Sequence, residues 1–351
     1  MQLEDLGYND TLKQFWTEHD FTGFEPGRIV EEHKEQYIVW TAGGEYEAEI
    51  TGTLRFTAES REEFPAVGDW VAVSVYEGGL AIIYRILPRF SIIKRKAVGK
   101  FGETQVIAAN IDSAFLIQAA DRDFNLNRLE RYLTICHASR VNPIVVLSKI
   151  DLIDSNELAE LSERIQHRIG DIPLLTLSTV TQTGLTTLQN MIERGKTYCL
   201  LGSSGVGKST LLNALAGRTI MRTDSISERT KKGRHVTSHR SLVVLPNGGI
   251  LIDNPGMREV GIADSAEGLE VTFDQIARLS GNCRFKDCTH TNETGCAVLE
   301  ALQKGEIDED AYRNYLKLKK EEAYFKSSLA ERRKKDRAFG KMVKNYKKQN
   351  L

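Results

Sequence analysis

The segment Gly202-Ser203-Ser204-Gly205-Val206-Gly207-Lys208-Ser209-Thr210 has the spacing G-x-x-x-x-G-K-[ST] and lies between the apolar run KTYCLL and the helix-patterned STLLNALAG. Backbone N–H groups of such a loop, with the positive end of the following helix, wrap phosphate oxygens only where no Cβ obstructs them. Gly202, Gly205 and Gly207 relieve that crowding. Lys208 then reaches the β and γ phosphates of a nucleotide, and the Ser209 hydroxyl ligates Mg²⁺. The plain alternative, a Gly-rich turn, is outweighed by spacing and context together.

Asp253-Asn254-Pro255-Gly256 ends the apolar strand GILID downstream of this loop, where a P-loop nucleotide hydrolase carries the aspartate that holds Mg²⁺ through water. The Gly256 amide is then placed to sense the γ phosphate. A solitary D-x-x-G is weak by itself, because many strand ends carry Asp and Gly; its position after the loop gives it weight. Base choice needs another element. Ser148-Lys149-Ile150-Asp151 follows the strand PIVVL, and a carboxylate there accepts two hydrogen bonds from guanine N1 and N2 that adenine cannot offer. The Lys149 stem would lie along the base. Ser178-Thr179, after the strand PLLTL, is placed to offer a backbone N–H to the guanine carbonyl oxygen.

A separate chemistry is written in Cys283-x4-Cys288-x-His290-x5-Cys296. Three sulfurs and one imidazole suffice for a closed tetrahedral Zn²⁺ site, one ion per chain, with no open position for chemistry. The competing reading, a disulfide, does not suit three thiols in a reducing compartment. Cys136 and Cys199 sit in apolar segments and read as buried small hydrophobes.

These residues need elements to hold them. Between Gly27 and Ile86 about five short stretches alternate polar and apolar residues with period two, most clearly YEAEITGTLRF over Tyr46–Phe56. That pattern fits a small barrel of the OB type, with an SH3-like barrel as the alternative. From about Thr104 apolar strands alternate with amphipathic helices: Ser113–Ala120, Leu126–Ser139, Pro143–Leu147, Ser155–Ile169, Pro173–Leu177 and Thr197–Leu201. A parallel-rich sheet covered by helices follows. After about Gly261 the strands stop. The expected division is an N-terminal extension and OB-type barrel over 1–103, an α/β nucleotide domain over 104–262, and a zinc-binding domain with a basic helical tail over 263–351.

The chain has 351 residues, too many for one compact core, and its formal net charge of −1 gives no general argument for a polyanionic partner. Charge is local instead. Between Lys317 and Lys348, thirteen Lys and Arg face four Asp and Glu, and with Tyr312, Tyr315, Tyr324, Phe325 and Phe339 in or just before this stretch, what could be a solvated helix face also suits stacking and phosphate contact with RNA. No apolar run is long enough to span a bilayer, and the start of the chain lacks a basic-then-apolar secretory pattern, so no membrane partner and a cytoplasmic location are expected.

The nucleotide motifs resemble those of the TRAFAC-type GTPases in altered order, with the base segments before the phosphate loop. With the barrel in front and the Cys/His knuckle behind, the chain resembles the ribosome small-subunit-dependent GTPase A family, RsgA (also YjeQ or YloQ). The resemblance runs from about Gly27 to beyond Cys296. It implies a multidomain α/β architecture of OB-type barrel, circularly permuted P-loop GTPase domain and helical zinc-knuckle domain. It also implies GTP and GDP as ligands, Mg²⁺ with GTP, and the small ribosomal subunit and its rRNA as partners. A monomer is the expected state. By match to the family's G-R-H-T-T segment, Thr237 becomes the Mg²⁺ ligand of the GTP state and His235 the candidate water-positioning group, since Met257 stands where many GTPases carry Gln. An RNA-phosphate contact by His235, beside Arg234, is the competing role. Three departures stand out: Val236 replaces a Thr of that segment, Ser148 stands where the family usually has Asn, which implies a weaker contact to guanine N7 and back to the phosphate loop, and D-x-x-G reads DNPG. The leading function is hydrolysis of GTP on the small subunit during late assembly. A metabolite kinase, or an RNA-binding module with a structural nucleotide, are the alternatives.

Overall fold

The computed structural model describes residues 2–33, 36–96, 104–121, 124–220, 240–253 and 265–323. The chain opens on a 3₁₀ turn, Leu3–Leu6, and helix α1 (Asp10–Glu18), capped by the Asn9 side chain. Strands β1 (Glu25–His33), β2 (Gln36–Thr41) and β3 (Gly44–Ile50) follow, then the short helix α2 (Gly52–Thr57), β4 (Trp70–Tyr76) and β5 (Leu80–Ile86). The strand expected to run to Phe56 stops at Ile50, because the Thr51 hydroxyl accepts from the Leu54 N–H and starts a helical turn there. The order β1-β2-β3-β5-β4, with β3 and β5 parallel and β4 closing on β1, is that of an OB barrel; the SH3-like alternative falls away. Ile29, Val39, Val71, Val73 and Ile83 fill its core.

A hairpin of β6 (Ile92–Lys96) and β7 (Thr104–Ala109) leads to β8 (Ser113–Ala119), α3 (Leu126–Ala138), β9 (Asn142–Ser148), α4 (Ser155–Ile169), β10 (Leu174–Leu177), α5 (Leu185–Met191), β11 (Thr197–Leu201), α6 (Lys208–Ala216), β12 (Arg240–Val244) and β13 (Ile250–Asp253). Strands β10-β9-β8-β11-β13 are parallel and β12 lies antiparallel at the edge. The inner strands are near-continuous apolar runs because both faces are covered. Leu116, Val145, Cys199 and Leu201 pack with Leu129 and Leu133 of α3 and Ile165 of α4 on one face. Phe115, Ile117, Val146 and Leu200 pack with Leu188 of α5 and Leu211 and Leu215 of α6 on the other.

Barrel and α/β layer are joined by backbone pairing. Edge strand β12 pairs with β1 through Glu31 opposite Ser241 and Glu32 opposite Arg240, so one hydrogen-bonded sheet of eleven strands runs through both. Where β1 meets β12, Ile29 faces the barrel core and the adjacent Val30 faces the α/β core, as side chains alternate along a strand; the register with β2 shifts by a bulge between Ile29 and Glu31. The fully buried Arg28 reinforces the junction. Its guanidinium donates to the carbonyls of Leu6, Gly68 and Asn110 and to the Thr197 hydroxyl at the root of β11. Burial pulls its pKa down to about 10, against the pull of Asp112 and Asp69, so it stays a cation at neutral pH.

Helices α7 (Ala266–Thr272), α8 (Asp274–Ser280) and α9 (Ala297–Gln303), with a helical stretch over 309–323, form a third cluster around Phe273, Ile276, Val298, Tyr315 and Leu318. It leans on α3, where the buried Glu130 accepts from the Asn314 side-chain amide at 2.5 Å and faces Arg168 at 3.4 Å. Burial, opposed by Arg168 and the Asn314 bond and assisted by Asp308 and Asp310, raises the Glu130 pKa from 4.5 to about 7. A carboxyl whose folded pKa is raised contributes its full stability below its unfolded pKa and loses it as pH climbs through the folded one. Melting temperature should therefore fall between pH 5 and 8 by an amount corresponding to about 2–3 kcal/mol, and Glu130→Gln should flatten that slope. A variant slope identical to wild type would place the titration elsewhere.

Candidate functional site

The phosphate-loop sequence leaves β11 at its C-terminal end and passes directly into α6. Gly205 and Gly207 have φ of 84° and 97°, which side-chain-bearing residues rarely adopt, and a Cβ on Gly202 would stand 2.5 Å from the Ile117 carbonyl oxygen of β8. Val206 is buried while Ser204, Gly205 and Thr210 face solvent, and Ser209 is half-buried in the first turn of α6. The Lys208 ammonium folds back over the loop, donating to the carbonyls of Gly202 at 2.8 Å and Ser203 at 2.6 Å.

The two segments expected to recognise the base follow the neighbouring strands β9 and β10. Ser148, the last residue of β9, is buried, and its hydroxyl donates to the Val206 carbonyl at 2.8 Å, with the Gln118 carbonyl at 3.2 Å. A serine hydroxyl reaches the phosphate loop here because β9 ends close beside Val206. Lys149 adopts a left-handed conformation, φ 58°, and its ammonium pairs with Asp121 at 3.2 Å. Asp151 sits in the 3₁₀ turn Ile150–Leu152. Its Oδ1 accepts from the Ser178 hydroxyl at 2.6 Å, and that hydroxyl oxygen accepts in turn from the N–H groups of Val180 and Thr181. Ser178 is fully buried, so it fixes the carboxylate from beneath, while Asp151 itself is exposed. Thr179 follows at once, its N–H without a hydrogen-bond partner among the described residues.

Asp253 closes β13, with Ile252 opposite Cys199 in β11 and Asp253 opposite Ser241 in β12. Its backbone therefore ends beside the strand that feeds the phosphate loop. His235, Thr237, Gly256 and Met257, and the basic tail after Ala323, lie outside the described residues. Two contacts were not anticipated from sequence: Gln118 of β8 exchanges hydrogen bonds with the backbone of Asn125 at the start of α3, and Arg128 of α3 donates to the Ser203 hydroxyl at 2.9 Å. No local pattern marks either residue, because each acts through a strand order visible only in three dimensions.

Away from this edge, the ligand atoms of Cys283, Cys288, His290 and Cys296 all lie within 4.8 Å of one another. His290 Nδ1 stands 3.6 Å from Cys283 Sγ and 3.5 Å from Cys296 Sγ, and Nε2 meets the Ser280 hydroxyl at 3.0 Å. That outer contact orients the ring with Nδ1 toward the sulfurs, as in sites that hold one metal ion. All five cysteines are free thiols. Burial pushes the Cys136 and Cys199 thiols up, as befits inert packing residues.

A parallel sheet with base segments entering before the phosphate loop, both at the same strand ends, defines a circularly permuted P-loop GTPase. The RsgA GTPase family model matches residues 86–263. A small ribosomal subunit biogenesis GTPase RsgA of Methanosarcina acetivorans is 43% identical over 326 residues, 93% of this chain and 86% of the relative. One from Bacteroides thetaiotaomicron is 37% identical over 99% of this chain and 97% of its own. Among solved structures, YjeQ from Thermotoga maritima superposes with a TM-score of 0.63 at 26% identity, covering 84% of this chain and 97% of that one. YloQ, described as a circularly permuted GTPase, gives 0.61 at 25% identity, over 85% and 95%. The chain belongs to the RsgA GTPase family and is a GTP hydrolase.

Proposed function

We propose that this protein binds the small ribosomal subunit in the cytoplasm as a monomer and hydrolyses GTP to time its release during late subunit assembly. The observation that carries the nucleotide half is the hydrogen bond from Ser148 to Val206, which ties the base segment to the phosphate loop at one edge of the sheet. Asp151, held by Ser178, selects guanine, with Lys149 along the base and the Thr179 N–H toward the guanine carbonyl oxygen. Gly202 through Thr210 cradle the phosphates, and Ser209 and Asp253 hold Mg²⁺, Asp253 through water. Thr237, His235 and Gly256 complete the GTP state in this reading. Relatives named for small-subunit biogenesis support the ribosomal half. The division 1–103, 104–262 and 263–351 assigns barrel, hydrolase and metal-bearing tail their parts, with rRNA contacted by barrel and tail. GTP turnover by the purified protein, with and without small subunits and with an ATP control, tests it. Slow GTP turnover accelerated by subunits is expected. Equal use of ATP would favour a kinase, and tight GTP binding without turnover on subunits would favour a binding module.

The Cys₃His donor set is that of structural zinc. Cys296 is almost wholly buried in the third cluster, so Cys296→Ser should remove the single zinc, measured by elemental analysis. It should also destabilise that cluster by on the order of several kcal/mol. Retained zinc at one ion per chain would exclude Cys296 as a ligand.

A further inference from the structure

Helix α3 touches both the phosphate loop and the metal-bearing cluster. At its start, the Asn125 side chain caps the Arg128 N–H at 2.9 Å, and Gln118 pins Asn125 to the end of β8. This fixes Arg128 in the first turn, where its Nη1 meets the Ser203 hydroxyl. Ser203 is the second residue of the loop, and its carbonyl is one of the two that hold the Lys208 ammonium. Arg128 thus braces the peptide against which Lys208 rests.

The rest of α3 is gripped from the other side. Glu130 bonds Asn314, and Arg131 makes a two-point pair with Glu321 at 2.7 and 2.6 Å. His137 meets the Thr272 hydroxyl at 3.0 Å, and Gly268 lies so close that a Cβ there would stand 2.3 Å from the Thr134 carbonyl oxygen. A helix is stiff along its axis over so few turns, so a shift of α3 under the metal-bearing cluster must move Arg128 with it. We propose that Arg128 is a positioning residue of the phosphate loop, through which the docking of the C-terminal cluster on α3 sets how readily the loop receives the triphosphate. A guanidinium fork fixes direction as well as charge, which an ammonium does not.

The inference rests on the phosphate-binding reading of the loop, and the wild-type protein separates the two: no GTP binding by wild type refutes that reading, whereas wild-type binding with turnover puts this inference to the test in its variants. Arg128→Ala should lower kcat/KM for GTP about tenfold to a hundredfold, the loss of one charge-assisted hydrogen bond, with the nucleotide-free melting temperature unchanged. Arg128→Lys should recover KM more than kcat, since it restores charge without the fork. Arg131→Ala, which frees α3 from Glu321, should also weaken GTP use, and the double variant should lose less than the product of the single losses. Three results would overturn the inference: kcat and KM of Arg128→Ala within twofold of wild type, a loss that tracks a lowered melting temperature, or strictly multiplicative losses in the double variant.

Discussion

Asp151→Asn is expected to lower affinity for GTP by about a hundredfold to ten-thousandfold, the loss of two charge-assisted hydrogen bonds at roughly 1.5–3 kcal/mol each. Guanine presents two N–H donors to the exposed carboxylate, and an amide can accept only one of them, turning its own NH₂ against the other. The same NH₂ complements the C2 carbonyl of xanthine. Affinity for xanthosine triphosphate should therefore rise while that for ATP stays low. Folding is spared, because the Ser178 hydroxyl that holds Asp151 Oδ1 at 2.6 Å can donate equally to an amide oxygen. Competition binding with the three nucleotides reads the change; an unaltered preference for GTP over ATP would remove Asp151 from base recognition.

Residues whose roles depend on near neighbours were legible in the sequence. Gly202, Gly205, Gly207 and Lys208 declare a phosphate loop because the backbone geometry they permit is local, and β11 and α6 begin and end as their apolar patterns require. The OB barrel was legible for the same reason, its strands alternating with period two. What the sequence could not carry were relations between distant segments. The pairing of β1 with β12 leaves no trace in either strand's own pattern, and Val30, which faces the neighbouring core, reads as one more apolar residue. Helix α1 contributes Leu12 to a small cluster with Leu6, Tyr8, Phe21 and Trp70, a core assembled from segments far apart in the chain. The Ser148 hydroxyl illustrates the limit at the site itself: its reach to Val206 depends on how closely β9 ends beside the loop.

The eleven-stranded sheet gives these relations a direction. Strand β12, which resumes the chain after the segment containing His235 and Thr237, is hydrogen-bonded to β13 on one side and to barrel strand β1 on the other. Arg28 ties that barrel strand to Thr197 at the root of β11. The barrel therefore shares a hydrogen-bonded framework with the phosphate-loop edge, and α3 links the Cys/His-containing cluster to the same edge.

At the centre of that edge, Lys208→Ala should reduce GTP turnover about a hundredfold to a thousandfold, the usual consequence of removing one preorganised donor from a developing anion. The Lys208 ammonium donates to the carbonyls of Gly202 and Ser203, neutral acceptors that a triphosphate's charged oxygens would replace. GDP offers the β phosphate alone and should lose less affinity than GTP. The side chain is half-buried and its two hydrogen bonds to carbonyls are worth about 1 kcal/mol each, so the variant should still fold. Lys208→Arg should not rescue turnover, because a planar fork cannot replace a compact ammonium between the two carbonyls. Single-turnover hydrolysis with saturating GTP separates binding from chemistry: a variant that hydrolyses bound GTP at the wild-type rate would show that Lys208 serves affinity alone.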